Sequence, residues 1–507
     1  MPGMSQIEVD RAATGMAVEF TPANARPTTK EIDSGFKRRV RDFFNALADH
    51  RAGYRNRNRY YHEQLLRHFQ FIIPPGKRLV EIGCADGDLL RQLKPSYGVG
   101  IDFSPAMIRA AESRRTDADE NLHFEQGDVE SITFKEKFDF IVISDVLGCL
   151  SDIQQAMENL RSACHERTRI VISYHRIMWD PALRAAQAFG LKMPQPHTNW
   201  LSSSDIVTLG RLAGFEVVRM SRFMLAPKYL PVLSNFLNRF IAPLPGINAL
   251  CMLRFVVLRP VNDPAPPQDL STTIIVPCRN ERGNIRECIQ RIPGFGGHQE
   301  IIFVDGHSTD GTVKEIERVI AENPDQDIKL LAQEGTGKGN AVRLGFAKAT
   351  GDILMILDAD LTVPPEDLPK FYNAIASKKG EFINGSRLVY PMERQAMRFL
   401  NILGNKFFGM VLSWLLDQRL KDTLCGTKVL RRSDYEKIAA NRAYFGDFDP
   451  FGDFDLLFGA AKQNMKILEV PIRYRDRTYG TTSISRFMHG WLLLRMSLFA
   501  FSKIKKQ

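Results

Sequence analysis

The run Ile353-Leu-Met-Ile-Leu357, followed at once by Asp358-Ala359-Asp360, restricts the fold of this chain more than any other stretch. Five consecutive apolar residues leave no room for a polar helix face, and they end abruptly in acids. That pattern fits a strand buried on both sides within a parallel sheet. Parallel neighbours need crossover helices, so an α/β architecture follows. In such sheets ligands gather at the carboxyl ends of the strands. Two carboxylates at i and i+2 there can gather a divalent cation. A polar strand end with turn propensity is the plain alternative.

The chain has 507 residues, enough for two or more domains. Its formal charge of +10 suits nucleic acid, an anionic membrane surface or phosphorylated substrates, without choosing among them. The seven cysteines are scattered and form no Cys-x-x-Cys pair, which argues against a zinc site or a disulfide framework and for a reducing compartment. Residues 1–30 lack the apolar core of a signal peptide, and no apolar run approaches the ~20 residues that span a bilayer. The expectation is a cytoplasmic protein, soluble or peripheral on the membrane face.

Residues 1–35 read as a mobile polar tail. From Gly35 to Phe71 the chain mixes arginines with tyrosine and phenylalanine. Such a mixture can stack on RNA, but no nucleic-acid motif accompanies it, so a helix over a domain entrance is the better reading. Next comes Arg78-Leu-Val-Glu-Ile-Gly-Cys-Ala-Asp-Gly-Asp-Leu-Leu90: a strand, a glycine-rich turn and a helix. A second strand, Gly98–Asp102, ends in an acid able to accept a ribose diol. Gly127-Asp128 closes a third, and Phe138–Ser144 forms a fourth before Asp145. These residues resemble the class I S-adenosylmethionine-dependent methyltransferases. The resemblance implies a Rossmann-like sheet over 36–260, with Glu81, Gly83, Ala85 and Gly87 around the methionine part of the cofactor. It puts Asp102 on the ribose, and Asp128 with Val129 beside the adenine. Ala85 stands where the family usually has its middle glycine. Later, His175 is a candidate general base, or simply a structural histidine among the aromatics of 174–201 (Trp179, His197, Trp200).

Four prolines in 260–269 mark a stiff linker, expected over 261–270. Beyond it, Thr272–Val276 runs into Pro277 and then Asn280-Glu281. Glu300–Asp305 repeats the plan of strand, acid, turn and helix, and Gly335-Thr-Gly-Lys338 opens a helix with amides and a lysine suited to phosphate. Then comes the Asp358-Ala359-Asp360 strand. This order resembles the family 2 glycosyltransferases of GT-A fold, in the polyprenyl-phosphate (dolichol-phosphate-mannose-synthase-like) branch, over residues 271–486. The resemblance implies Pro277, Asn280, Glu281, Asp305, Lys338 and Asp358 around the nucleotide-diphospho-sugar, and Asp358 with Asp360 on Mg²⁺ or Mn²⁺. Thr362 stands where that branch often has a metal-holding glutamine. It also implies active-site segments at Asn384–Arg387 and Lys421–Gly426, and acids near the acceptor at Asp453 and Asp455, so that Asp422, Asp453 and Asp455 join the candidate catalytic acids. Arg387, Arg475, Arg477 and Ser483 are implied on the acceptor phosphate, arginine forks being well matched to that group. Two amphipathic stretches, 397–416 and 487–501, the latter followed by lysines, suit either a membrane surface or core packing.

The chain as a whole therefore reads as an α/β fusion of two enzymes: a methyltransferase, and a metal-dependent inverting glycosyltransferase acting on a polyprenyl phosphate or a glycan. Two other readings remain open at this stage. One is a glycosyltransferase with a non-catalytic scaffold or sensor domain. The other is a membrane- or RNA-surface module with vestigial catalytic folds.

Overall fold

Two seven-stranded sheets carry the chain, one in a unit formed by residues 1–261 and one in a unit formed by 262–507. The structure is a computed structural model and describes residues 20–22, 30–196, 199, 201–261, 269–388, 399–444, 453–475, 477, 479 and 486–505. Ser483, His197, Trp200, most of the expected linker and most of the expected tail lie outside the described residues. The described parts of that tail are ordered elements. Phe20–Pro22 pairs antiparallel with Ile132–Phe134, and helix α1 (Lys30–Leu47) begins before residue 35.

In the first unit, helices α1, α2 (Arg51–Arg57) and α3 (Arg59–Ile72) precede the sheet. Its strands are β1 (Arg78–Ile82), β2 (Tyr97–Asp102), β3 (Leu122–Gln126), β4 (Phe138–Ser144), β5 (Cys164–His175), β6 (Phe215–Phe223) and β7 (Leu253–Pro260). They lie in the order β3-β2-β1-β4-β5-β7-β6, with β7 antiparallel to both its neighbours and the others parallel. The order reverses between β1 and β4, where a parallel sheet opens a crevice. Strand composition follows from burial on both faces. Along β1 and β4, Val80, Ile82, Ile141 and Ile143 belong to one apolar cluster, and Leu79, Phe140 and Val142 to the cluster on the opposite face.

The second unit repeats the scheme with β8 (Thr272–Cys278), β9 (Gln299–Asp305), β10 (Asp327–Ala332), β11 (Ile353–Ile356), β12 (Phe382–Ser386), β13 (Lys428–Arg431) and β14 (Ile467–Pro471). Their order is β10-β9-β8-β11-β13-β12-β14, and β13 alone runs against its neighbours. The apolar run that opened the sequence is β11 and its exit, and Ile353 to Leu357 are fully buried. Helices α4 (Arg282–Arg291), α5 (Thr312–Glu322) and α6 (Lys338–Lys348) each follow a strand of the parallel half. Helices α7 (Phe399–Leu416), α8 (Asp453–Lys462) and α9 (Arg486–Ile504) come later. The two amphipathic stretches are α7 and α9. They pack together through stacked Trp414 and Phe501, yet leave Met410, Trp491 and Leu498 exposed. Among the described residues no helix is long and apolar enough to cross a membrane.

The core of the first unit is aromatic beneath β7. Phe255 is fully buried against His68, Phe69 and Phe223. Truncation there leaves a cavity that close-packed neighbours cannot refill. Phe255→Ala is expected to cost about 3–5 kcal/mol. Urea unfolding followed by circular dichroism should show an earlier transition for the first unit and an unmoved one for the second.

Candidate functional site

Each unit gathers its polar side chains at the carboxyl ends of its central strands. In the first unit these ends border a cavity of about 720 Å³. The turn after β1 forms its floor. Gly83 and Gly87 have φ of +72° and +71°, a region L side chains avoid. A Cβ on Gly83 would also collide with Val146. Ala85 takes φ +49° between them, so the missing middle glycine is accommodated by an alanine in the same left-handed region. The Ala85 amide donates to Asp102 Oδ2 and the Ser104 amide to Oδ1, both at 2.8 Å. Burial pushes the Asp102 carboxyl up, and these two bonds work against that rise. Glu81 is buried, and its Oε2 has no hydrogen-bond partner among the described residues. Burial drives its carboxyl well above the usual range, with Arg51 opposing. A buried, unpartnered carboxylate oxygen facing a cavity suits a cationic ligand group. The ammonium of a bound amino-acid moiety is such a group, so the residues present fit S-adenosylmethionine.

Helices α1, α2 and α3 wall this cavity. Their basic residues are engaged with its acids. Lys37 Nζ reaches Asp128 Oδ2 at 2.8 Å and Glu130 Oε2 at 3.0 Å; Arg51 Nε reaches Asp86 at 3.2 Å; Arg55 pairs with Asp88. Val129, expected beside the adenine, is buried and lines the cavity next to Asp128. Burial, with Arg51 and Arg55 nearby, lowers His62 to about 4. Among the lining residues, three meet that the sequence holds far apart. Tyr61 Oη lies 3.2 Å from Asp145 Oδ2 and 3.3 Å from His175 Nε2, and His175 Nδ1 is 3.4 Å from Asp145 Oδ1. Asp145 sits at φ +56° just past β4. Sequence reasoning raised His175 but missed Tyr61 and Asp145. An acid directly after a strand was the available signal for Asp145; Tyr61, on a helix, had none.

In the second unit the Asp358–Asp360 turn is ringed by cations. Lys338 Nζ, at the start of α6, is 2.6 Å from Asp358 Oδ1. Burial would raise the Asp358 carboxyl, but Lys338, then Lys428 and Arg387, hold it below the usual range. Thr362 Oγ1 donates to Asp360 Oδ1 at 2.8 Å, and Arg477 bridges Asp360 Oδ2 (2.6 Å) and Glu281 Oε1 (3.4 Å). The Arg475 amide donates to the Thr362 carbonyl at 3.0 Å, so Arg475 lies beside the acid turn. A Cβ on Gly426 would overlap the Asp358 carboxylate and press on Lys338, which ties the 421–426 segment to the same spot. Asp305 is buried; its Oδ2 accepts from the Ser308 amide, while Oδ1 has no hydrogen-bond partner among the described residues. Asn280 takes φ +57° and accepts from the Thr309 amide, and Pro277 is half-buried at the end of β8.

Two expectations meet a different geometry. Asp422, expected among the catalytic acids, is fully buried, and Arg387, expected on the acceptor phosphate, turns its fork onto it: Nε to Oδ2 at 2.7 Å, Nη2 to Oδ1 at 2.9 Å. Asn405 and the Leu424 amide complete the cage. Two opposite charges removed from water satisfy each other, and the pair locks the end of β12 to the 420s loop. Asp455 is also buried and accepts from Arg442 Nε at 2.9 Å. Asp453 begins α8, and its side chain lies outside the described residues.

Among the described residues no three His, Cys, Asp or Glu side chains are grouped to hold a metal. Asp358 and Asp360 are two carboxylates, however, and Mg²⁺ commonly takes one or two carboxylates and completes its shell with substrate phosphates and water. The donor set fits such an ion bound together with a diphosphate.

Family models match both units: "Methyltransferase domain" over residues 54–220, and "Glycosyl transferase family 2" over residues 273–439. Among curated proteins, the chain is 31% identical over 222 residues to a dolichol-phosphate mannosyltransferase of Pyrococcus furiosus, covering 42% of this chain and 59% of that protein. It is 26% identical over 230 residues to the low-salt glycan biosynthesis hexosyltransferase Agl6 of Haloferax volcanii, covering 45% and 52%. The chain thus spans little more than half the length of these relatives. Among solved structures it is similar to an S-adenosylmethionine-dependent methyltransferase of Mesorhizobium loti (18% identity, TM-score 0.29, covering 38% of this chain and 95% of that one). It is also similar to the N-methyltransferase NodS of Bradyrhizobium japonicum in complex with S-adenosyl-L-homocysteine (16%, TM-score 0.28, 40% and 88%).

The Arg387–Asp422 pair gives two expectations. Removing one partner leaves a buried uncompensated charge, so Arg387→Ala should destabilise the second unit by about 3–5 kcal/mol in denaturant titrations. Arg387, against the cost of burial, holds Asp422 down at about 2. A carboxyl depressed by folding stabilises above its unfolded pKa of about 4 and loses that contribution as the pH falls through its folded value. Unfolding titrations between pH 5 and about pH 2 should therefore show a falling stability that is flatter in Asp422→Asn.

Proposed function

We propose that this chain, which carries a methyltransferase domain at 54–220 and a family 2 glycosyl transferase domain at 273–439, is a bifunctional transferase. Its second unit moves a sugar, with inversion, from a nucleoside-diphosphate donor to a polyprenyl phosphate. The observation that carries this reading is the convergence of Asp358, Asp360, Glu281, Lys338 and Arg477 on one strand end, with hydrogen bonds linking acids to cations. The kinship with dolichol-phosphate mannosyltransferase supports the lipid-phosphate acceptor.

The free Oδ1 of Asp305 accepts a hydrogen bond from the nucleoside. Asp358 and Asp360 would hold Mg²⁺ or Mn²⁺. When bound, that ion supplies positive charge against the departing diphosphate. Lys338 and Arg477 neutralise the two acids here, and Lys338, at the start of α6, would contact the donor's phosphates. Arg475 and Arg477 hold the acceptor phosphate from beside the acid turn, with Ser483 joining them. A phosphate acceptor is already anionic, so the reaction needs no general base. Asp455, bonded to Arg442, would be the base if the acceptor were a sugar hydroxyl.

The first unit binds S-adenosylmethionine in its cavity, Glu81 taking the ammonium, Asp102 the ribose, and Asp128 with Val129 the adenine. The cofactor supplies an electrophilic methyl group. Tyr61, Asp145 and His175 line the cavity where an acceptor hydroxyl would lose its proton, and His175 receives it with Asp145 steadying the imidazolium. Its acceptor is a glycan or glycolipid related to the product of the second unit. The work is done on the cytoplasmic face of a membrane.

A panel of nucleotide sugars with Mn²⁺ and a short polyprenyl phosphate, read by mass spectrometry with and without S-adenosylmethionine, tests both halves. Asp360→Asn should lower sugar transfer about a hundredfold or more. A chelator should abolish transfer and added Mn²⁺ restore it; transfer that survives chelation sinks the metal assignment. By calorimetry, Asp102→Ala should weaken S-adenosylhomocysteine binding about tenfold or more, since hydrogen bonds to a charged group are lost. A wild-type chain that binds none would reduce the first unit to a scaffold.

A further inference from the structure

The first unit carries an exposed apolar face that its catalytic reading leaves unused. It is built from the stretch after β6 and from the helix and loop after β5. Val232 and Phe189 are 80% exposed, Tyr229 57%, Leu230 51%, Phe236 50% and Leu250 48%. Single exposed apolar residues are ordinary, but a contiguous group of large ones marks a contact surface. Contiguity is fixed by three contacts. Lys228 Nζ donates to the Leu191 carbonyl at 3.0 Å, Trp179 Nε1 donates to the Leu250 carbonyl at 2.8 Å, and Tyr229 packs against Tyr60 at 5.5 Å between ring centroids.

Three further observations separate this face from a chance cluster. First, Val232 is held at φ +64°, a conformation costly for a β-branched residue, and the turn it makes pushes its own side chain into solvent. The chain then continues through a helical turn, Leu233–Phe236, into a π-helical one, Leu237–Ile241. Second, the charge is one-sided. No Asp or Glu occurs between Glu216 and Asp263, while the exposed Arg222, Lys228 and Arg239 all do; Arg219 and Arg259 of the same stretch are buried in the sheet. None occurs between Asp180 and Asp205 either, and Asp180 is paired with Arg184. Third, the face is continuous with the cavity: Trp179, Leu191, Lys192, Pro227 and Lys228 line it and belong to these same segments. Aromatic and aliphatic side chains projecting among basic ones, with no acids, match the boundary of an anionic bilayer. A protein partner offers no comparable reason for excluding every acid from both segments.

We infer that this face seats the first unit on an anionic lipid surface, so that the cavity opens at the bilayer and takes a lipid-borne acceptor. The acceptor part rests on the methyltransferase reading above; the docking part does not. Lys228 and Arg239 lie among the apolar side chains and meet lipid phosphates, while Phe236, Val232 and Phe189 enter the acyl boundary.

Hydrogen–deuterium exchange of the full chain tests the inference unit by unit. Vesicles of phosphatidylcholine containing phosphatidylglycerol should slow exchange in peptides spanning 227–250 and 181–192. Vesicles of phosphatidylcholine alone should do so far less. The double variant Val232→Asp, Phe236→Asp changes only exposed positions and should lose that protection, with vesicle affinity of the face falling about tenfold or more. Its binding of S-adenosylhomocysteine, followed by calorimetry, should be unchanged. Protection confined to the second unit overturns the inference. So does protection that grows with protein concentration without vesicles, which would make the face a contact between copies. If the wild-type chain binds no S-adenosylhomocysteine, the acceptor part falls, and the exchange data alone decide docking.

Discussion

A parallel strand covered on both faces can carry charge only where it ends. Both sheets obey this constraint, and the chemistry of both units follows from it. In the first, Glu81, Asp102 and Asp145 stand at or just past the ends of β1, β2 and β4. In the second, Asp305 ends β9, and Asp358 follows β11 by two residues. The strand interiors are aliphatic because each successive residue meets a different buried layer. The acids are thus collected along one edge of each sheet.

Collecting acids on one edge creates a second problem, and the two units answer it alike. Carboxylates brought close together in a low-dielectric setting repel one another and resist ionisation. In the first unit, helices α1 and α2 bring Lys37, Arg51 and Arg55 across the cavity onto Asp128, Asp86 and Asp88. In the second, Lys338 and Arg477 do the same for Asp358 and Asp360. These cations, part of the basic excess that looked like a hint of nucleic acid, are therefore internal counter-charge. Cations that hold carboxylates in this way are also the groups able to hand them over to a ligand of higher charge.

The strands that close on an acid or glycine were legible in the sequence, because a short apolar run of that kind has few other uses. Tyr61 was not legible: it lies on a helix 84 residues before Asp145 and 114 before His175, and nothing local marks it. The pairing of Arg387 with Asp422 was equally hidden. Each residue has a type that suits a substrate site, and only the packing of β12 against the 420s loop reveals that each is the other's partner. The reversal of β7 and of β13 was also out of reach, since an antiparallel strand buried on both faces looks the same in sequence as a parallel one. Nor did the exposed side chains around Val232 stand out. Only the backbone turn at Val232 shows that they face outward.

Helix α1 lies wholly before residue 54, where the recognisable methyltransferase domain begins, yet its Lys37 closes the cavity beside Asp128 and Glu130. The cavity's enclosure is therefore larger than the part of it that family likeness detects. A fragment cut to that likeness would lose this wall, and with it β7 and the end of β6. Its Asp128 and Glu130 would face water without their counter-charge, and any ligand held there would be open to solvent on one side. Segments that look like an appendage to a shared domain can be where an individual protein builds its own enclosure.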